Sequence, residues 1–138
     1  MHASDTMDLM SRYIEKTTEG VQKGTLREGV RNIQTGFLQL DSTEGDRDSI
    51  LVVVEHVDQG LTLGTLTDEI AGEAGYKDAD AVRADLRHIY VEEIGRYPDG
   101  MPDNHPVTFA RWKFLRELPG VRPNAPQSGK EPFPAPAI

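Results

Sequence analysis

Five apolar residues, Leu26, Val30, Ile33, Phe37 and Leu40, follow one another at steps of 4, 3, 4 and 3. No other feature of the chain constrains its fold as tightly. That spacing keeps all five on one face of an α-helix and would scatter them over both faces of a strand. The segment opens with Thr25-Leu26-Arg27-Glu28, a capping-box pattern in which the threonine hydroxyl takes an orphan amide and the glutamate reaches back to the cap. Gly29 and Gly36 each weaken such a helix by about 1 kcal/mol relative to alanine, so it has to draw on tertiary packing. Upstream, Leu9, Met10, Tyr13, Ile14, Thr17 and Val21 recur at helical steps behind a Ser4 or Asp5 cap, and Gly20 and Gly24 bracket the end. Residues 4–45 therefore read as an antiparallel helical hairpin. Its stripe of Leu26, Val30, Ile33, Phe37 and Leu40 exceeds what one neighbouring helix covers, which predicts homodimerisation through those five residues.

The polar stretch 41–47 is a loop, and its oxygen ligands do not fall at the alternate positions of an EF-hand. In Ile50-Leu51-Val52-Val53-Val54 three successive valines favour a strand. Ile50, Leu51, Val54 and Val57 nevertheless share a helical face behind an Asp46 or Asp48 cap, and the segment is read as helix, with strand as the alternative. Thr65-Leu-Thr-Asp68 caps another helix that buries Leu66, Ile70, Ala71 and Ala74 and ends at Gly75. After a tight turn, a longer helix points Val82, Leu86, Ile89 and Tyr90 inward. Pro98 to Pro106 is a loop that no helix can cross. Residues 107–118 are spaced for a last helix, through Phe109, Trp112, Leu115 and Leu118, or form a return strand that would be a small β wing. Residues 119–138 hold six prolines and read as a flexible tail.

Ile70-Ala71-Gly-Glu-Ala-Gly75-Tyr76, followed by Val82, Leu86-Arg87 and Tyr90, resembles a helix-turn-helix unit. A small residue there lets two helices cross closely, and a glycine four positions later makes the turn. Over residues 66–90 the pattern is similar to the second such unit of AraC-type regulators, and Ala81-Val-Arg-Ala-Asp-Leu86 to the recognition helix of DeoR-type winged regulators. The resemblance implies a mainly α protein in which 46–118 is a DNA-binding domain. Arg83 and Arg87 would meet the duplex, and Arg111, Lys113 and Arg116 the flanking phosphates.

Charge bears on that expectation. The net charge is −8, all of it in residues 1–75, which hold 14 acidic and 6 basic residues; residues 76–138 hold 9 of each. A polyanion would be met by the C-terminal half alone. Even there the proposed recognition helix, 77–93, sets Lys77, Arg83 and Arg87 against Asp78, Asp80, Asp85, Glu92 and Glu93.

The absence of cysteine excludes disulfide scaffolds, thiol nucleophiles and iron–sulfur sites, and it suits a reducing cytoplasm. No apolar run is long enough to span a membrane. No nucleophile motif or phosphate loop occurs. His88 and Glu92 stand at i and i+4, the spacing of an ion pair or of metal ligands; Asp99, Asp103 and His105 read as turn residues. The reading as a whole is a cytoplasmic, non-enzymatic regulator without metal or cofactor. It acts by binding duplex DNA or, as the alternative, as an interaction or inhibitor protein that meets a protein partner.

Overall fold

The stripe from Leu26 to Leu40 does not form a helix. In the structure, a computed structural model that describes residues 6–122, it is divided between strands β2 (Gly24–Glu28) and β3 (Gly36–Ser42). Gly29 and Gly36 have φ of +81° and +112°, conformations that glycine alone enters without strain. The two residues that weaken a helix are thus the points at which the chain turns. From Gly36 onward the burial has a period of two, with Leu38, Leu40 and Ser42 inward. Of the five stripe residues only Leu26 and Leu40 are buried, while Val30 is 64% and Phe37 42% exposed.

In full, the order is β1 (Thr6–Leu9), α1 (Ser11–Thr18), β2, β3, β4 (Ile50–Thr62), α2 (Asp68–Glu73), α3 (Ala79–Arg87) and β5 (Pro106–Glu117). A 3₁₀ turn follows β4 at Leu63–Thr65, and a π-helix, His88–Glu93, continues α3. The five strands form one sheet in the order β1-β3-β4-β5-β2, with β1 parallel to β3 and the remaining pairs antiparallel. The protein is therefore mixed α/β, with three short helices on a mixed sheet, and not a mainly α helix-turn-helix protein. Strands from both 4–45 and 46–118 enter the same sheet, so no N-terminal helical hairpin exists.

The two ambiguous segments are both strands. At 50–54 the β-branched run prevails over the helical spacing, and Ile50, Val52 and Val54 are buried. At 107–110 four consecutive residues are buried, which a half-exposed helix cannot do but a strand covered on both faces can. β5 pairs with β4 and β2 inside the five-stranded sheet, so it is no small β wing. Val107 and Phe109 join Leu26 in a core beneath α2 and α3, whereas Ala110 and Trp112 join Leu38, Leu40 and Val52 in a second core against Tyr13 and Ile14 of α1. Gly24 fixes this packing locally: a Cβ there would lie 2.3 Å from the Ala110 carbonyl oxygen.

α2 and α3 do follow one another across a tight turn. Thr67 accepts from the Ile70 amide and Asp78 from the Ala81 amide, capping the two helices. Their apolar faces are spent on the sheet, through Ala71, Val82 and Leu86. Leu118 and Val121 hydrogen-bond to the backbone of Ser49, so the start of the expected tail is tied to β4; the rest of that expectation, 123–138, lies outside the described residues. No helix among the described residues is long and apolar enough to cross a membrane.

Candidate functional site

β2 is an edge strand, and its last two residues carry charge into the interior. Arg27 faces the same side as Ala110, to which its neighbour Thr25 is paired. It is 1% exposed, and its Nη2 donates to the Asp8 backbone carbonyl of β1 at 3.0 Å. One guanidinium thereby bridges the two edge strands of the sheet. Burial lowers the Arg27 pKa to about 9, a measure of what it costs to keep a cation away from water.

Glu28 faces the opposite side, with a side chain only 5% exposed. Four side chains converge on its carboxylate. Tyr97 donates its hydroxyl to Oε2 at 2.6 Å, and His105 donates from Nε2 to the same oxygen at 2.9 Å. Arg31 and Arg96 stand 3.6 and 3.5 Å from Oε1. The turn at Gly29 brings Arg31 back, so that its Nε also donates to the Glu28 carbonyl at 2.6 Å. Thr108 donates to the Gly29 carbonyl and accepts from the Arg31 amide, which fixes that turn. Tyr97 and His105 meet edge to face, with centroids 4.6 Å apart, and the Arg96 guanidinium lies over the Tyr90 ring at 5.3 Å.

Burial raises the Glu28 pKa, but the hydrogen bonds from Tyr97 and His105 and the charge of Arg31 outweigh it, and the carboxyl titrates below its ordinary range. The same contact works in reverse on Tyr97, which burial and the Glu28 carboxylate push up to about 12. Burial takes Tyr90 to about 12 as well. Two arginines thus gather around Glu28, a local excess of positive charge in a chain of net −8, while Arg27 is buried on the other face of the sheet. The loop that bears Arg31 continues into Asn32, Ile33 and Gln34, which with Thr6, Met7 and Leu38 line a cavity of about 260 Å³. Among the described residues no group of three or more histidine, aspartate or glutamate side chains is placed to hold a metal ion.

The residues expected to contact DNA lie elsewhere and apart. Arg83 donates to the Leu63 carbonyl and to Asp80; Arg87 donates to the Met101 carbonyl and to Asp103. Arg111 is held by Glu73 through both carboxylate oxygens. Lys113 and Arg116 are exposed on β5, away from α3. No single basic face results. Leu26 and Leu40, expected at a dimer contact, are fully buried, and Ile33 packs on the α1 core.

Sequence reasoning missed Arg27, Glu28, Arg31, Arg96, Tyr97 and His105. The one usable signal was Arg27-Glu28-Gly29: two adjacent charges followed by a glycine fit a strand that ends at a site as well as they fit a helix start.

No family model matches the sequence, and no curated protein matches it. Solved structures do match in fold. Protein EF3133 of Enterococcus faecalis, of family model DUF984, superposes with a TM-score of 0.66 at 9% identity over 89% of this chain and 87% of its own. The ASCH domain from Lactobacillus crispatus gives 0.67 at 11% identity over 83% and 82%. A serine-to-alanine variant of the Zymomonas mobilis ASCH protein gives 0.56 at 13% identity over 83% and 72%. The chain thus has the fold seen in these ASCH and DUF984 proteins, which corrects the resemblance to AraC-type and DeoR-type regulators.

Proposed function

We propose that the protein is a non-enzymatic binding domain that takes up single-stranded RNA at the site around Glu28. The observation that carries this reading is the convergence of Arg31 and Arg96 on Glu28 beside Tyr97 and His105. Arg31 and Arg96 are 29% and 31% exposed, so their outer donors can reach a phosphate while Glu28 holds their inner ones. Tyr97 and His105 offer ring faces and edges to a base. The fold shared with the ASCH proteins, which is PUA-like, supports RNA as the polyanion. Duplex DNA does not fit, because α3 spends its arginines on its own loop and on Asp80 and Asp103.

The test is fluorescence anisotropy of a labelled single-stranded RNA dodecamer at about 50 mM salt, where phosphate contacts dominate. Binding is expected, and Arg31→Ala and Arg96→Ala should each reduce the salt slope by about 0.7. No binding, or slopes equal to wild type, overturns the proposal.

A second reading has one observation behind it. His105 donating to buried Glu28 is the base-and-orienter half of a hydrolytic site. Cleavage of the bound dodecamer, abolished by His105→Ala, would favour that reading.

Homodimerisation belongs to the same proposal, resting on exposed Val30 and Phe37. Light scattering of wild type and Phe37→Glu tests it, and a monomeric wild type refutes it. A cytoplasmic setting, where RNA and reduced thiols coexist, is the compartment the proposal implies.

A further inference from the structure

A groove that shares no lining residue with the arginine site lies along α3. It encloses about 770 Å³ between α3 with its π-helical extension and the loop 99–102. Ala84, Val91, Met101 and Pro102 supply its apolar lining. Arg87 straps the loop to the helix, through the Met101 carbonyl at 2.9 Å and Asp103 at 2.9 Å, so the groove is braced in the free protein.

The rim is acidic. Glu92 from the π-helix and Asp99 from the facing loop line it, and Glu93 and Asp103 stand beside it, bonded to the lining residues His88 and Arg87. The cations among them, Arg87 and His88, are engaged internally. The π-turn is the reason: with more residues per turn than an α-helix, it brings residues four and five positions on to flank the same side chain. His88 accordingly bonds through Nδ1 to Glu92 at 2.7 Å and through Nε2 to Glu93 at 2.7 Å. Only an imidazolium can donate from both nitrogens at once.

We propose that this groove docks a basic peptide segment of a partner protein, an extended stretch in which arginine or lysine alternates with apolar side chains. Apolar side chains would fill the space over Val91 and Met101, while the flanking cations would meet Glu92, Glu93 and Asp99. Charge excludes the other occupants. RNA would be repelled by the rim. A second copy brings a net charge of −8, and residues 123–138 offer only Lys130 against Glu131.

His88 gives the docking a signature. Glu92 and Glu93 hold its pKa above the ordinary imidazole value. The charged groups around it are Arg87 and Glu92 on its own helix and Asp99 on the facing loop, which line the groove, with Glu93 and Asp103 bonded to His88 and Arg87 beside it. As pH rises through the His88 titration, two carboxylates are released to meet the peptide, so affinity rises.

The test uses the full chain and a fluorescein-labelled hexapeptide of alternating arginine and leucine, read by anisotropy and by amide shifts in an ¹⁵N spectrum. Shifts should centre on Val91, Gly100 and Met101. Affinity should rise several-fold from about pH 6 to about pH 8 in wild type and not in His88→Gln. Glu92→Gln/Asp99→Asn, both exposed positions, should weaken binding about tenfold without lowering the melting temperature. The proposal is overturned if the hexapeptide with glutamate for arginine binds equally, if the double variant binds like wild type, or if the shifts fall on the Glu28 site. It is also overturned if a chain ending at Arg122 binds much more tightly, since the tail would then be the occupant.

Discussion

Two histidines in this protein bond to glutamate at nearly the same distance, and they do opposite things. His105 and Glu28 meet at 2.9 Å with side chains 12% and 5% exposed. His88 meets Glu92 and Glu93 at 2.7 Å, with its ring 57% exposed. Around Glu28 the donors have replaced water, so removing any one of them leaves a desolvated group with nothing in its place. Around His88 water stands ready to take over each bond, and the clamp contributes charge and shape with little effect on stability. Bond length alone therefore says nothing about what a contact does; its access to solvent decides.

The largest effect should come from Glu28→Gln. It leaves Arg31 and Arg96 beside a neutral amide and should cost about 3 kcal/mol in urea denaturation, as breaking a buried ion pair does. A cost under about 1 kcal/mol would make the site as wet as the His88 clamp and dissolve the contrast. Tyr97→Phe comes next. It removes one hydrogen bond to a buried carboxylate, worth about 2 kcal/mol, and leaves the ring contact with His105.

The pH dependences of the two regions should differ in sign. Glu28 is lowered in the folded state, so its contribution is complete above the ordinary glutamate pKa of 4.5. It is lost as pH falls through the lower folded value, and the stability curve of Glu28→Gln should accordingly be flatter in acid. His88 is raised, so whatever it contributes is present below 6.5 and lost as pH rises through the higher folded value. The smallest effect closes the series: His88→Gln should leave the melting temperature unchanged at neutral pH, while the imidazole titration of wild type, followed by proton NMR, should have its midpoint above 6.5. A clear drop in melting temperature would show that the π-helix depends on its clamp.

The helices beneath the sheet were legible because their signals are local. The caps Thr67 and Asp78 act on amides three residues away, and Val82, Leu86, Ile89 and Tyr90 are all buried as their spacing implied. The strands were not. Leu26 to Leu40 met a helical template with every residue, but a strand is stabilised by a partner, and the partner of β2 is β5, which aligns Leu26 with Phe109. Glycine carried the contrary signal, since Gly29 and Gly36 fit turns better than a helix interior.

By itself the sequence determined the charge balance, the lack of thiol chemistry, the two capped helices on either side of Gly75 and the break at Gly20, whereas Gly29 and Gly36 read as interior positions of a helix. Each follows from composition or from contacts within about four residues, the reach of a helical turn. Only the tertiary structure decided that Leu26 and Leu40 belong to different strands, and that Glu28 would meet Tyr97 and His105, 69 and 77 residues away. Such contacts form only after long loops have closed, and burial on both faces of the sheet, which no local pattern encodes, is what recovers that entropy.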